Sequence, residues 1–149
     1  MAGRSSEAGR REFPVLLRAA RARYGAAIGA ALAEAGCDDV PRNGPYVIGA
    51  IARTGSPLSE IIGMLGISKQ AAGQLVDTLV LRGYLDRSPD PVDRRRMTIS
   101  LTERGLAAAS AIRAAVDALD AALVARVGRE HFAHALATLA VLADDDFGS

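Results

Sequence analysis

Between Leu58 and Gly105 the chain reads LSEIIGMLGISKQAAGQLVDTLVLRGYLDRSPDPVDRRRMTISLTERG, and this stretch restricts the fold more than any other. Ser59 stands where it can cap a short helix over 60–65, because its hydroxyl can accept a bond from a free backbone amide. Gly66, in LGIS, supplies the permissive backbone of a tight turn. Ser68 can then cap a longer helix from Lys69 to about Arg82, which Gly83 closes. Two helices joined by so short a turn make a helix-turn-helix. YLDRS and RMTISL follow as strands. In the second, Met97, Ile99 and Leu101 alternate with Thr98 and Ser100, which predicts one buried face. Pro89 and Pro91 exclude helix between the strands and leave a hairpin loop with Arg94, Arg95 and Arg96 at its tip or descending edge.

The flanks read as helix. From Phe13, Leu16, Ala20, Tyr24, Ile28, Leu32 and Ala35 recur at helical spacing, with Pro14 suited to the first turn and Gly36 to the stop. Residues 1–11 are polar and are expected to be a mobile tail. A loop, CDDVPRNGP, leads to a helix from Pro45 to about Arg53 that TGSP ends. Thr102 can cap a long helix carrying Leu106, Ala109, Ile112, Val116, Leu119, Leu123 and Val127, with Glu103 favourable in its first turn. After Gly128 a last helix places Phe132, Leu136, Leu139 and Ala143 on one stripe. The fold class is therefore mainly α with a small β-hairpin (α+β). One domain over 12–149 holds a winged helix-turn-helix at about 43–103, flanked by helices at about 13–36 and 103–145.

Composition matters through its distribution. Among 149 residues, half are hydrophobic, which argues against general disorder, and the net charge is only +1. Yet Arg82, Arg87, Arg94, Arg95, Arg96 and Arg104 crowd one short region, while Asp144, Asp145 and Asp146 lie together near the C-terminus. Where the charge lies, rather than its sum, decides whether a nucleic acid can be bound. A single cysteine, Cys37, fits a reducing compartment. MAGRSSEAGRREF lacks the apolar core of a secretory signal, and no apolar run approaches the roughly 18 residues of a membrane span. The expectation is a soluble cytoplasmic protein.

Projected at 100° per residue, the helix from Lys69 turns Ala71, Leu75 and Leu79 to the core and Lys69, Gln70, Gly73, Gln74 and Asp77 to solvent. Lys donates to guanine edges and Gln pairs with adenine, while small Ala72 and Gly73 would let the helix approach a duplex closely. A polar helix face alone suits plain solvation, and so do three arginines on a loop. Together they form a two-part grip on DNA, with Asp93 able to hold a neighbouring guanidinium by a charge-assisted bond. Arginine also suits a narrow minor groove, where negative potential is concentrated.

The LGxS-type turn, the helix ending RG-Y-L, the D-x-x-D-R-R wing and the terminal LTxxG, in this order, resemble the MarR family of bacterial transcriptional regulators. With the flanking helices the resemblance covers about residues 13–145. It implies a homodimeric repressor on a pseudo-palindromic operator in double-stranded DNA, with helix 13–36 and the two C-terminal helices interlocked about the two-fold axis. It implies DNA contacts from Ser68, Lys69, Gln70 and Gln74. Asp93, Arg94 and Arg95 match the family's wing, where the aspartate pairs with the arginine two positions on, here Arg95. An arginine of the tip enters the minor groove; Arg94 is the first choice, and Arg96 is additional and suits a phosphate. The resemblance further implies a small-molecule effector between the dimerisation helices and the winged helix, where Tyr24 and Tyr46 could line a cleft, although core or interface positions suit both better. Gly73 and the pair Val80 and Leu81 depart from the family's pattern.

Other features carry less. Cys37 lies beside Asp38 and Asp39, which disfavour a thiolate, so redox sensing is not assigned. Glu130, His131 and His134 lack a third clear metal ligand beyond this weak set. No cofactor is expected, and no nucleophile–base arrangement suggests an enzyme. The competing reading is a winged helix used for protein interaction, without its own DNA site.

Overall fold

The computed structural model describes residues 3–54 and 58–144. Six helices and one hairpin follow in the order α1 (Gly3–Glu34), α2 (Gly44–Thr54), α3 (Leu58–Leu65), α4 (Lys69–Leu81), β1 (Leu85–Pro89), β2 (Met97–Leu101), α5 (Glu103–Val127) and α6 (Arg129–Leu142). This is the expected order of elements. Two starts differ from the sequence reading. Helix α1 begins at Gly3, within the stretch expected to precede the helix, and continues through Pro14. Proline lacks one amide but holds a helical φ. Helix α3 begins at Leu58, so Ser59 is its second residue and not its cap. The residues before it, 55–57 within TGSP, lie outside the described residues.

Local signals fix the other ends. Ser68 is extended, and its Oγ accepts the Ala71 amide at 3.1 Å, opening α4. Thr102 opens α5 in the same way, its Oγ1 accepting the Gly105 amide at 3.0 Å. Gly66, between α3 and α4, takes a φ of 62°, a left-handed conformation that closes the helix-turn-helix corner.

The strands pair antiparallel, with Leu85 opposite Leu101, Arg87 opposite Ile99 and Pro89 opposite Met97. The buried face of β2 is narrower than its alternation suggested. Ile99 and Leu101 pack against the core, whereas Met97, where the hairpin leaves the body, is 58% exposed.

The core sits where the winged helix meets α5. Val47 and Ile48 of α2, Leu75, Val76 and Leu79 of α4, Tyr84, Leu85, and Ala108, Ala109 and Ile112 of α5 pack with Leu32 and Cys37. Close approach here depends on Gly105: a Cβ at that position would lie 2.1 Å from the Tyr84 carbonyl oxygen. Beyond this core the flanking helices present apolar surface outward. None of the described residues of α6 is buried; Leu136 is 54% and Val141 59% exposed, and Leu16 on α1 is 58% exposed. Apolar surface of this kind on the flanking helices needs a cover, which a second copy of the chain can supply.

Candidate nucleic-acid interface

Helix α4 turns Lys69, Gln70, Gly73, Gln74 and Asp77 to solvent, as its periodicity predicts. Ala72 does not share that face. It is 3% exposed, since its steps of three, four and seven to Leu75, Val76 and Leu79 bring it onto the core stripe. Of the two small residues, Gly73 alone leaves the outer surface open.

The hairpin loop is shaped chiefly by Asp90, the first aspartate of D-x-x-D-R-R, to which the sequence assigned no role of its own. Oδ1 of Asp90 accepts the amides of Val92 at 2.7 Å and Asp93 at 3.0 Å, and the Asp90 amide donates to the Arg96 carbonyl at 2.8 Å. These two amide bonds hold the Asp90 carboxyl below the usual carboxylate range. Asp93 shapes the tip as well, but not through a guanidinium. Its Oδ1 accepts the Arg95 backbone amide at 3.1 Å, and its carbonyl accepts the Arg96 amide at 2.9 Å. The expected side-chain pair between Asp93 and Arg95 is thus replaced by backbone bonds, which leave the Arg95 guanidinium available. Arg94, Arg95 and Arg96 are all exposed, and among the described residues none of them makes an ion pair.

The basic region therefore divides by role. Arg87 is tied to Asp77 at 2.5 Å, joining β1 to α4. Arg104 donates to the Asp39 carboxylate at 2.9 Å and to the Arg82 carbonyl at 2.5 Å, with its guanidinium 4.3 Å over the Tyr84 ring. Arg82 in turn donates to the Asp39 carbonyl, and the buried Tyr84 hydroxyl donates to the Asp39 carboxylate. Burial and that carboxylate push the Tyr84 hydroxyl's pKa up, while the Tyr84 bond first and Arg104 next hold Asp39 down. Three of the six arginines brace the fold. The three at the wing tip do not.

The exposed face of α4 and the wing arginines thus stand on one winged helix-turn-helix, and its sequence matches a family profile. Residues 38–96 match the profile of the MarR family. Solved structures agree in fold: the transcriptional repressor CouR bound to a 23-mer DNA duplex is 25% identical, with a TM-score of 0.64 over 87% of this chain and 90% of that one. CouR from Rhodococcus jostii RHA1 bound to p-coumaroyl-CoA is also 25% identical, with a TM-score of 0.66 over 91% of this chain and 93% of that one. Over residues 38–96, then, the chain is similar to the MarR-family winged helix. A Staphylococcus aureus MepR variant bound to an oligodeoxyribonucleotide, 19% identical over 87% of this chain and 94% of that one, shares the fold with a TM-score of 0.51. No curated protein sequence matches the chain.

In this MarR-like chain two hollows lie where the flanking helices meet the winged helix. One, of about 280 Å³, is bordered by Arg21, Ile28, Leu32, Arg42 and Tyr46, between α1 and the start of α2. The other, of about 630 Å³, lies between α2 and α5 beside Arg53, Ile112, Val116 and Asp120. Tyr46 lines the first, the less favoured of the two places its sequence position allowed. Tyr24 instead donates to Asp120 at 2.5 Å and pins α1 to α5; burial, then that carboxylate, pushes its pKa up to about 12. Cys37 is buried with its thiol directed at the Ala35 carbonyl, while His131 and His134 are exposed on α6. No helix among the described residues is long and apolar enough to cross a membrane.

Proposed function

We propose that this protein is a homodimeric, sequence-specific DNA-binding repressor of transcription whose affinity a small molecule modulates. One observation carries the reading: the open polar face of α4 and three exposed wing arginines, none in an ion pair among the described residues, stand on the same winged helix. Lys69, Gln70 and Gln74 read base edges in the major groove, with Ser68 at the helix start contacting the backbone. Arg94 enters the flanking minor groove, Arg95 and Arg96 meet phosphates, and Asp93, with Asp90, holds the loop that presents them. The uncovered stripes of α1 and α6 support a dimer placing the two α4 helices in major grooves about 34 Å apart on a pseudo-palindromic operator. CouR's structures with DNA and with p-coumaroyl-CoA support a regulator of this kind, and the two hollows offer room for an effector. The activity is binding, without catalysis, and its place is the cytoplasm, where it meets DNA.

The competing reading, a protein-interaction module, draws on Leu81, which is 87% exposed at the end of α4. The double variant Arg94→Ala/Arg95→Ala separates the two. DNA fragments are selected with the purified protein, and their affinity for the variant is measured by fluorescence anisotropy. A loss of at least about tenfold with an intact dimer is expected, since each charge-assisted contact contributes more than about 1 kcal/mol. Undiminished affinity would remove the wing from the interface.

A further inference from the structure

Gly73 lies in the middle of α4, where glycine costs about 1 kcal/mol relative to alanine, and nothing inside the protein requires it. Its φ is not in the left-handed region, and an added Cβ would meet no atom within 4 Å. The space it leaves opens into a hollow of about 280 Å³ between α4 and the wing. Ile62, Val76 and Ile99 give this hollow an apolar lining, and Lys69 and Arg87 stand at it as cations. Cross-strand register explains the assembly. Arg87 and Ile99 are direct partners, so both side chains leave the hairpin on the face that meets α4, where Arg87 is held by Asp77. Lys69 and Gly73 are four residues apart, one above the other on the outer face of α4.

An apolar hollow at the edge of a base-reading face, next to a lysine with no ion pair among the described residues, suits one feature of the major groove. The thymine 5-methyl group is the apolar mark that a groove of donors and acceptors presents. Lys69 supplies charge complementarity to the neighbouring phosphodiester or purine edge. We infer that the hollow beside Gly73 receives the methyl edge of one thymine in each operator half-site, and that Gly73 lacks a side chain so that this base can enter. The inference rests on α4 being the base-reading helix.

The test uses the full-length protein and a DNA fragment selected by it. Each thymine is replaced in turn by deoxyuridine, which removes only the methyl, and affinity is measured by anisotropy. One thymine per half-site should stand out, its replacement weakening binding about fourfold, the value of burying one methyl-sized group. Gly73→Leu, which fills the hollow, should bind more weakly and lose the distinction between thymine and deoxyuridine at that position. Gly73→Ala checks folding: it should melt no lower than the parent while binding the selected DNA more weakly. Binding indifferent to every deoxyuridine, or Gly73→Leu equal to the parent in affinity, overturns the inference while leaving DNA binding standing. Failure of the parent protein to bind selected DNA at all would instead overturn the function on which the inference rests.

Discussion

Gly105→Ala should destabilise this protein even though alanine is the better helix former. A Cβ at residue 105 would stand 2.1 Å from the Tyr84 carbonyl oxygen and 3.1 Å from Cδ2 of Leu101. A carbon–oxygen contact needs about 3.3 Å, so roughly 1 Å of movement is required. The obstacle is backbone within the core: Tyr84 and Leu85 are buried, and the same carbonyl accepts the Thr102 amide at 3.1 Å. Overpacking of this kind costs about 1–3 kcal/mol. Loss of the Thr102 bond adds about 1 kcal/mol, and the helix-propensity gain of alanine returns about 1 kcal/mol. The net is a loss of about 2 kcal/mol, which lowers Tm by about 4–8 °C in a chain of this size. Calorimetry at fixed protein concentration measures it, with Gly73→Ala as the opposite case among helical glycines. A Gly105→Ala protein that melts at or above the parent temperature would refute the close packing of α5 on Tyr84.

Other consequences follow from the same geometry. Asp90→Ala removes the acceptor of two wing amides. It should weaken binding of selected DNA about fivefold in an anisotropy titration, the equivalent of one lost capping interaction, while the far-ultraviolet spectrum stays that of the parent. Asp39 titrates in the folded protein below its ordinary 3.8, through the Tyr84 bond first and Arg104 next. A depressed carboxyl contributes stability above its unfolded pKa and loses it as pH falls through the folded value. Denaturant midpoints should therefore drop below about pH 4, and Asp39→Asn should flatten that drop; an unchanged acid limb would remove Asp39 from the brace. Tyr24, raised to about 12 by burial and Asp120, should ionise later than a free phenol in an ultraviolet titration, and Asp120→Asn should bring it back towards 10.

What the sequence made legible was local. Ser68 and Thr102 could be read as caps because a cap needs only a hydroxyl and the amide three residues on, and Gly66 because a corner needs a left-handed residue. The polar face of α4 followed from its 3.6-residue period. Ala72 was misplaced because a small residue at the edge of a stripe is assigned by its neighbours, and the core reaches farther round α4 than large side chains alone indicate. Asp90 stood in the D-x-x-D-R-R motif, but its bracing role was not legible because its partners are loop amides, which leave no periodic trace. Least legible was the division of the arginines. Arg104 finds Asp39 across 65 residues of sequence and Arg82 reaches the same residue across 43, so only the assembled fold separates bracing arginines from those at the wing tip.

The salt dependence of DNA affinity decides whether the wing arginines meet the DNA backbone. With fragments selected by the protein itself, log affinity is followed against log salt between about 50 and 200 mM, for the parent and for Arg94→Ala/Arg95→Ala. Each phosphate contact contributes a slope of about −0.9. A steep linear fall is expected for the parent, and for the variant weaker binding with a slope shallower by about one to two. A parent affinity that is flat across this range, or a variant with unchanged slope and affinity, would contradict that contact.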